Sequence, residues 1–479
     1  MQKSLVKNSL YNILYTTINI LFPLITSIYS ARILLASGVG TVAYSQNIAS
    51  YFVTFAALGL PSYGVREIAK IRENAVERDR LFTELILLNF ISTTFAVILY
   101  TMLMRHFAHQ IDIQLYIASG AVVFFNYLNI DWLYRGIEEY GYITSRSLIV
   151  KILSFIALLL FVKDQQDYIV YAWINSFATG SNYLFNVLYA RKFVSLRFSK
   201  INLSKHVSPL LAIALTIFLG SIYSKVDITM LGMLASKEAV GYYSNSQKII
   251  TMVITVCNAI TGALLPRLSY YYANDRAAFY ALLKKGFDIL CLMALPLAVG
   301  LFLVAEQVVL LFYGESFAPA VTTTRLLCPV IIIKGFGDLF CYQLAYSTKN
   351  EKIIVPASGC AAGMNIIANA ALIPVLQQNG AVIASLISEF LTNSIQFVYI
   401  KKKIKLQLNL RSLIICAVAA FLMAITVVGI ISLQLPVVTA VILEVTCGAV
   451  VYAAANILMK NPLLIEVLCW LKNKIRKRI

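Results

Sequence analysis

An all-α, polytopic membrane protein is the fold class that the sequence predicts, and two observations predict it. The 479 residues are 60% hydrophobic and only 13% charged, whereas an ordinary soluble domain carries about 25% charged residues. Apolar runs of about 18 or more residues, each long enough to cross a bilayer as a helix, recur along the whole chain. These runs are continuous rather than alternating, which favours helices over the strands of a β-barrel.

We predict fourteen transmembrane helices joined by short polar connections. The spans are expected at residues 9–34, 40–60, 83–104, 115–134, 145–163, 168–190, 207–233, 239–263, 285–310, 321–346, 353–373, 381–400, 412–433 and 437–458. The first run is too long and too rich in Tyr, Asn and Thr for the core of a signal peptide, so we expect it to remain as a helix.

Basic residues are distributed very unevenly between the connections. If the N-terminus is cytoplasmic, the inner segments hold 31 of the 40 Lys and Arg residues, and the outer connections hold only Arg105, Lys163 and Lys237. This asymmetry follows the positive-inside rule and predicts both termini in the cytoplasm. The tail, residues 459–479, carries a helical apolar stripe with a basic end. It is expected to lie on the cytoplasmic leaflet, with a targeting or partner-binding role as the alternative.

Several function classes are disfavoured by the same composition. The net charge of +18 lies in short linkers between apolar runs, which does not suit a nucleic-acid-binding surface. The eight cysteines mostly fall inside apolar runs without CxxC spacing, so we expect buried thiols rather than disulfides or a metal site. No Walker A pattern or catalytic motif occurs, so the sequence predicts neither a cofactor nor an enzymatic activity.

One passage of the chain is repeated. Residues 39–48 are VGTVAYSQNI and residues 240–249 are VGYYSNSQKI, an offset of 201 residues. In each copy an arginine follows 18 residues after the last isoleucine, Arg66 in the first and Arg267 in the second. The offset contains six predicted spans, an even number, so both copies enter the membrane from the same side and the repeat is parallel.

This repeat predicts the domain organisation. We expect a six-helix lobe at residues 1–206, a second at 207–411, two additional transmembrane helices at 412–458 and the basic tail at 459–479. Two parallel lobes are typical of transporters that rock about a central site. A duplicated bundle with no transport role is the alternative.

Charged residues inside the spans are the candidate functional residues, because ionisable groups at membrane depth mark substrate or ion pathways by default. The predicted set within the spans consists of Arg32, Lys225, Asp227, Lys248, Lys334, Asp338 and Glu389. It leans cationic, which suits an anionic substrate, and phosphate is the obvious candidate. The acids Asp338 and Glu389 are candidates to carry a coupling proton or sodium ion.

Structural alternatives exist for each of these charges. Asp227 could pair with Lys225 or Lys248, and Lys334 with Asp338, since residues four apart share a helix face. Arg32 could extend to the outer interface. The arginines after the repeat, Arg66 and Arg267, could be ordinary positive-inside anchors.

Six stretches resemble the bacterial polysaccharide repeat-unit flippases of the Wzx type, in the superfamily that also contains the MATE multidrug exporters. They are ARILLASGVGTVAYSQNI, FAALGLPSYGVREIAK, VDITMLGML, VGYYSNSQKI, LLPRLSYYYAN and LIPVLQQNGAVIASLISE. The resemblance covers most of residues 1–400. The chain departs from the family in ARILLAS, where Leu35 replaces a more usual glycine.

The resemblance implies a twelve-helix, two-lobed core with two extra helices in the bacterial plasma membrane. It implies translocation of an undecaprenyl-pyrophosphate-linked oligosaccharide to the outer leaflet, through a cationic cavity that holds the pyrophosphate. By position, the residues implied in that role are Arg32, Arg66, Asp227, Lys248 and Arg267. We add Lys225 and Lys334 as substrate-binding candidates, and a polysaccharide polymerase complex is a candidate partner.

Three rival functions remain open at this point. A cation-coupled multidrug or metabolite exporter of the same fold is one, although the first span lacks the acid that many such exporters keep there. A membrane polysaccharide polymerase or ligase is another, but the outer connections are short for a catalytic loop. A scaffold for a polysaccharide assembly complex is the third, but it would not require charges at mid-depth.

Overall fold

The structure is a computed structural model that describes residues 5–109, 112–262, 264–404 and 410–466. Within these residues the regular structure is helical, and no strand occurs. The chain forms two compact units, Met1–Gly241 and Tyr242–Ile479, and their boundary falls inside a helix. The predicted lobes at 1–206 and 207–411 stay a prediction.

The first unit is built from eight helices and the start of a ninth. They are α1 Leu5–Ala56, α2 Leu60–Lys70, α3 Ala75–His106, α4 Ile113–Phe125, α5 Asp131–Gly136, α6 Tyr140–Phe161, α7 Tyr168–Ala190, α8 Ser204–Leu234 and α9 Lys237–Gly262.

The second unit contains the rest of α9 and the helices that follow it. They are α10 Leu265–Asn274, α11 Arg276–Tyr313, α12 Ala320–Gly337, α13 Leu344–Ser347, α14 Ile354–Leu376, α15 Gln378–Lys401, α16 Leu410–Ile431 and α17 Val437–Leu458. Helices α16 and α17 pack against each other and against α11.

The predicted all-α polytopic class is confirmed. Among the described residues, ten helices are long and apolar enough to cross a membrane. Four differences separate these ten from the fourteen predicted spans: α1 merges the first two, α7 and α9 are too polar to count, and the span predicted at 115–134 is divided between the short helices α4 and α5. The number fourteen therefore stays a prediction. Residues 467–479 of the predicted interfacial tail lie outside the described residues.

The first predicted outer connection is a single break inside α1. Leu35 has φ 56° and ψ −177°, whereas its neighbours continue as helix on both sides. A positive φ with this ψ is a conformation that only glycine adopts without strain. The chain therefore turns between its first two predicted spans at Leu35, the position where the family that it resembles more usually has glycine.

A π-helical turn interrupts the span predicted at residues 321–346. Asp338–Gln343 forms this turn between α12 and α13. The preceding Gly337 lies so close to Asn393 of α15 that a Cβ would collide with its side-chain amide. Such π-helical turns appear often at functional sites in membrane and soluble proteins alike.

Two short amphipathic helices, α2 and α10, follow the two copies of the repeat. Each begins at a Leu-Pro pair. Proline is favoured in the first turn of a helix because N–H groups there have no intrahelical acceptor, so the N–H that proline lacks costs no hydrogen bond. Helix α2 buries Leu60, Tyr63 and Ile68 on one face and exposes Lys70 on the other.

Candidate substrate-binding site

The two copies of the repeat meet where α1 crosses the start of α9. A Cβ on Gly40 would collide with the carbonyl oxygen of Lys237 and would lie 2.7 Å from the backbone nitrogen of Gly241. A Cβ on Gly241 would collide with the carbonyl oxygen of Ala36. Ala36 and Lys237 are related by the same 201-residue offset as the two glycines, so the contact is equivalent from both sides. Glycine is required here because the two backbones touch.

The predicted cation Lys225 lies beside the first copy of the repeat. Its Nζ donates hydrogen bonds to the carbonyl oxygen of Ser50 and to Oγ1 of Thr54, both at 3.4 Å. The ammonium also lies 5.6 Å from the centre of the Tyr51 ring, within range of a cation–π interaction. The ammonium of Lys225, on α8, is thus held against α1 by neutral oxygens and an aromatic ring. None of these three groups carries a negative charge that would neutralise it.

Amide and hydroxyl groups extend this polar patch along α8. Asn47 Nδ2 donates to the carbonyl oxygen of Lys225 at 3.2 Å and to Oγ1 of Thr229 at 2.8 Å. The hydroxyls of Tyr51 and Thr229 are 3.0 Å apart. The predicted Asp227 lies buried on the same helix, with 6% of its surface exposed. Arg32 lies one helical turn before the break at Leu35 and is exposed.

Arg66 and Arg267 occupy different positions on the short helices. Arg66 is in the second turn of α2, where its Nε lies 2.8 Å from Oε1 of Glu67 and its guanidinium lies 5.2 Å from the centre of the Tyr63 ring. Arg267 is the third residue of α10 and is exposed. Both are surface cations after the repeat, but they do not occupy equivalent turns.

In the second unit, Lys334 and Glu389 form an ion pair between α12 and α15. The Lys334 Nζ lies 2.9 Å from Glu389 Oε1, and the Glu389 side chain is only 14% exposed. A substrate-binding candidate and an ion-coupling candidate therefore neutralise each other in this conformation. The alternative pairing of Lys334 with Asp338 is not the one observed.

Asp338 forms hydrogen bonds with neutral groups, and the π-helical turn brings one of these groups next to it. Its Oδ2 accepts hydrogen bonds of 2.7 Å from Oγ1 of Thr261 and of 2.7 Å from Nε2 of Gln343. Gln343 lies five residues along, and the π spacing brings residues i and i+5 to one face. Elsewhere in this unit, Lys248 Nζ donates to Oδ1 of Asn245 at 2.9 Å, one turn away on α9.

One intramembrane cation was missed by the sequence analysis. Lys151 lies in the middle of α6, where its Nζ donates to Oδ1 of Asn19 at 2.6 Å and to the carbonyl oxygen of Ile18 at 3.1 Å. A search of each predicted span for single charges would have found it. Its partners, 132 and 133 residues earlier in the chain, carry no sequence signal.

Two further buried networks in the first unit were also missed. Arg146 is 6% exposed and pairs with Asp131, with Asn186 bonded to both. Near the predicted cytoplasmic side, Glu84 is fully buried and its Oε2 contacts Lys205 Nζ at 2.8 Å and His206 Nε2 at 2.9 Å. Both networks lie at the edges of predicted spans and join an acid inside a span, Asp131 or Glu84, to basic residues of the predicted connections.

The last missed group is a carboxyl in the additional helices. Glu444 of α17 is 1% exposed and accepts one 3.3 Å hydrogen bond, from Nε2 of Gln307 on α11. Its Oε2 has no hydrogen-bond partner among the described residues. No group of three or more His, Cys, Asp or Glu placed to hold a metal ion occurs in the described part of the chain.

Comparison with known proteins identifies the family. The sequence profile described as "Polysaccharide biosynthesis protein" matches residues 5–272, more than half of the chain. The chain belongs to this polysaccharide biosynthesis protein family. The profile described as MatE matches residues 212–371. The relationship to the MATE exporters, which the sequence motifs indicated, is thus also found in this chain.

The relatives of this polysaccharide biosynthesis protein include named transporters and flippases. A "Putative O-antigen transporter" of Escherichia coli (strain K12) is 23% identical over 413 residues, which are 83% of this chain and 97% of the relative. A "Probable flippase AglR" of Haloferax volcanii is 26% identical over 172 residues, 35% of each chain. The resemblance to polysaccharide flippases is confirmed.

Solved structures establish the fold of the family member. A structure described as "Lipid II flippase MurJ, inward closed conformation" superimposes with a TM-score of 0.76, covering 95% of this chain and 99% of the other at 14% identity. An inward-facing MATE multidrug transporter superimposes with a TM-score of 0.61 at 15% identity, covering 82% and 98%. The fold is therefore that shared by MurJ and the MATE transporters.

Proposed function

We propose that this protein is a flippase that translocates undecaprenyl-pyrophosphate-linked oligosaccharide repeat units across the bacterial plasma membrane, for surface polysaccharide biosynthesis. The observation that carries the proposal is a set of cations at membrane depth, with Lys225 held by neutral oxygens of α1, in a fold shared with a lipid II flippase. A cation held this way is available to an anionic headgroup, and a phosphate provides one.

The proposed path uses the candidate residues in order. Arg66 and Arg267, exposed on α2 and α10, receive the pyrophosphate at the cytoplasmic mouth. Lys225, Lys248 and Arg32 accompany it toward the outer half, and Asp227, buried on α8, is a further substrate-binding residue. The termini are cytoplasmic in this proposal, and the substrate crosses by alternating access, with no catalytic step.

Ion coupling is assigned to the acids of the second unit. The Lys334–Glu389 pair separates when Glu389 takes up a proton or sodium ion, which frees Lys334 to meet the pyrophosphate. Asp338, held by Thr261 and Gln343, is the second coupling candidate. A polysaccharide polymerase complex is the proposed partner that receives the flipped repeat unit.

A cation-coupled multidrug or metabolite exporter is the second candidate. The MatE match at residues 212–371 favours it. The absence of Asp and Glu from the span at residues 9–34 disfavours it, and so do the basic residues at membrane depth, which repel a cationic drug.

The proposal is tested with the double variant Arg66→Ala/Arg267→Ala in cells that make a surface polysaccharide. We expect loss of the polymer at normal protein levels. The matched control is Arg105→Ala/Lys163→Ala, which removes two cations from the predicted outer connections and should leave polymer output unchanged. Normal output from the first variant would refute the role of these arginines as the inner phosphate site.

A further inference from the structure

The first unit contains a cavity of about 430 Å³ beside the contact between the two copies of the repeat. It is enclosed by α1, the end of α3, the start of α4, the end of α8 and the start of α9. All of these segments lie at the predicted outer side of the membrane. A volume of this size is within the range of about 300–1,000 Å³ that is typical of small-molecule sites.

The lining of the cavity includes polar residues and one cation. Lys237, the first residue of α9, lines it and is exposed, and in the described parts of the chain its ammonium has no hydrogen bond or ion pair. Thr41, Tyr44 and Tyr116 also line the cavity and supply polar groups near it. Thr41 already donates its hydroxyl proton to the carbonyl oxygen of Ser37 at 2.7 Å, so a phosphate would find the ammonium of Lys237 here and the phenol hydroxyls of Tyr44 and Tyr116 as donors.

The one acid in the lining, Asp112, keeps its negative charge, but it forms no ion pair with Lys237 and is held in place by neutral donors. Asp112 Oδ2 accepts a 2.7 Å hydrogen bond from the hydroxyl of Tyr168. Its Oδ1 accepts a 3.3 Å hydrogen bond from the backbone N–H of Leu115 and so caps α4. Asp112 therefore acts as a structural residue of the wall.

The lining also includes exposed apolar side chains. Leu103, Met104 and Phe107 contribute from the end of α3, and Met233 from the end of α8. Met233 is 66% exposed and Phe107 is 37% exposed. Exposed apolar side chains of this kind are available to a hydrocarbon chain. The lining thus combines one ammonium group with exposed apolar side chains.

We propose that this cavity is an exit site, which holds the pyrophosphate and the first isoprene units of the polyprenyl carrier at the outer leaflet before the lipid leaves. The inference rests on the proposed flippase function and adds to it where the flipped headgroup is received. Lys237 binds the pyrophosphate, and the wall formed by Phe107 and Met233 holds the hydrocarbon. Because the Lys237 carbonyl also touches Gly40, the site and the contact between the repeats share a residue.

The test is binding of farnesyl pyrophosphate, a short polyprenyl pyrophosphate, to the purified full-length protein in lipid nanodiscs. We expect Lys237→Gln to weaken binding about tenfold or more, because it removes a charge-assisted interaction. The matched control is Lys163→Gln, another exposed lysine of the predicted outer connections that lies outside the lining, and it should bind as the wild type does. Equal affinity of Lys237→Gln and the wild type would overturn the proposal.

A second variant and two further probes separate the two halves of the site. Met233→Gln should weaken farnesyl pyrophosphate while leaving inorganic pyrophosphate unchanged, and farnesol should bind more weakly than farnesyl pyrophosphate. Inorganic pyrophosphate binding as tightly as farnesyl pyrophosphate would show a free-phosphate site and overturn the lipid assignment. The flippase function itself is judged separately, from the glycan of cells that lack the protein, so one proposal can fail while the other stands.

Discussion

Gly40 lies so close to Gly241 that a Cβ on Gly40 would be 2.7 Å from the backbone nitrogen of Gly241. The two glycines are the second residues of the two copies of the repeated motif, and a Cβ on Gly241 would in turn collide with the carbonyl oxygen of Ala36. The contact lies at the predicted outer side of the membrane. Small residues allow helix backbones to approach this closely.

The first prediction concerns this contact. Gly40→Ala should lower the free energy of unfolding by about 1–3 kcal/mol, because a methyl group there collides with the Lys237 carbonyl and forces the backbones apart. The measurement is thermal unfolding of the purified variant in detergent. The control is Gly220→Ala on α8, where a Cβ would meet nothing within 4 Å. It should be neutral or stabilising, and similar behaviour of both variants would contradict the close approach.

The second prediction concerns the break in α1. Leu35→Gly should be more stable than Leu35→Ala by about 1–2 kcal/mol, since both remove the side chain but only glycine relieves the strain of a positive φ. The order should be reversed for Leu87 in the regular helix α3, where alanine is favoured by up to about 1 kcal/mol. Unfolding of the four variants by heat gives both comparisons. Alanine more stable than glycine at both positions would contradict the strained turn.

The third prediction concerns Lys334 and Glu389. Removing either charge alone should destabilise the protein by more than the ~0–1 kcal/mol of an exposed pair and by less than the ~3–5 kcal/mol of a buried one. Lys334→Gln/Glu389→Gln should recover part of the loss, because no charge is left unpaired. The exposed Lys285–Glu466 pair is the control, and Lys285→Gln should change stability by about 0.5 kcal/mol or less. Additive losses in the double variant would mean that the pair is not coupled.

The fourth prediction compares two buried acids. Glu444→Gln should preserve or raise the unfolding temperature, because the carboxyl is buried with one oxygen unpartnered and the amide removes an ionisable group. Asp338→Asn should lower stability by about 1–3 kcal/mol, because Oδ2 accepts two hydrogen bonds that are strongest to a charged oxygen. Replacing the carboxyl by an amide is therefore expected to leave unchanged or raise stability at Glu444 and to lower it at Asp338. A lower unfolding temperature for Glu444→Gln would show that its charge is stabilised by groups not identified in these contacts.

The helical class could be predicted well from the sequence, because apolar runs are a local property, whereas the interruptions at residues 126–130 and 338–343 within two predicted spans were not predicted. The repeat even located Gly40 and Gly241, which the structure brings into contact. The substitution of glycine by Leu35 likewise marked the site of the break in α1.

The partners of individual charges were much harder to predict. Lys334 and Asp338 are four residues apart, which suggested an ion pair. In the structure the π-helical turn places Asp338 in a hydrogen bond with Gln343, and Lys334 forms its ion pair with Glu389, 55 residues later. Lys151 contacts Asn19 from a distant span. Such pairings depend on helix rotation and packing, which a single sequence does not encode in any readable pattern.

We propose that the protein moves a lipid-linked oligosaccharide across the membrane. The most direct test is to measure where the lipid-linked glycan accumulates in cells from which the gene has been deleted. Lipid-linked repeat units should be extracted from wild-type and deletion cells, and their access to a membrane-impermeant glycosidase or label should be measured. The account predicts that repeat units on their polyprenyl carrier accumulate on the cytoplasmic side and that surface polymer is lost. Normal surface polymer, with no accumulation of the lipid-linked unit, would contradict it.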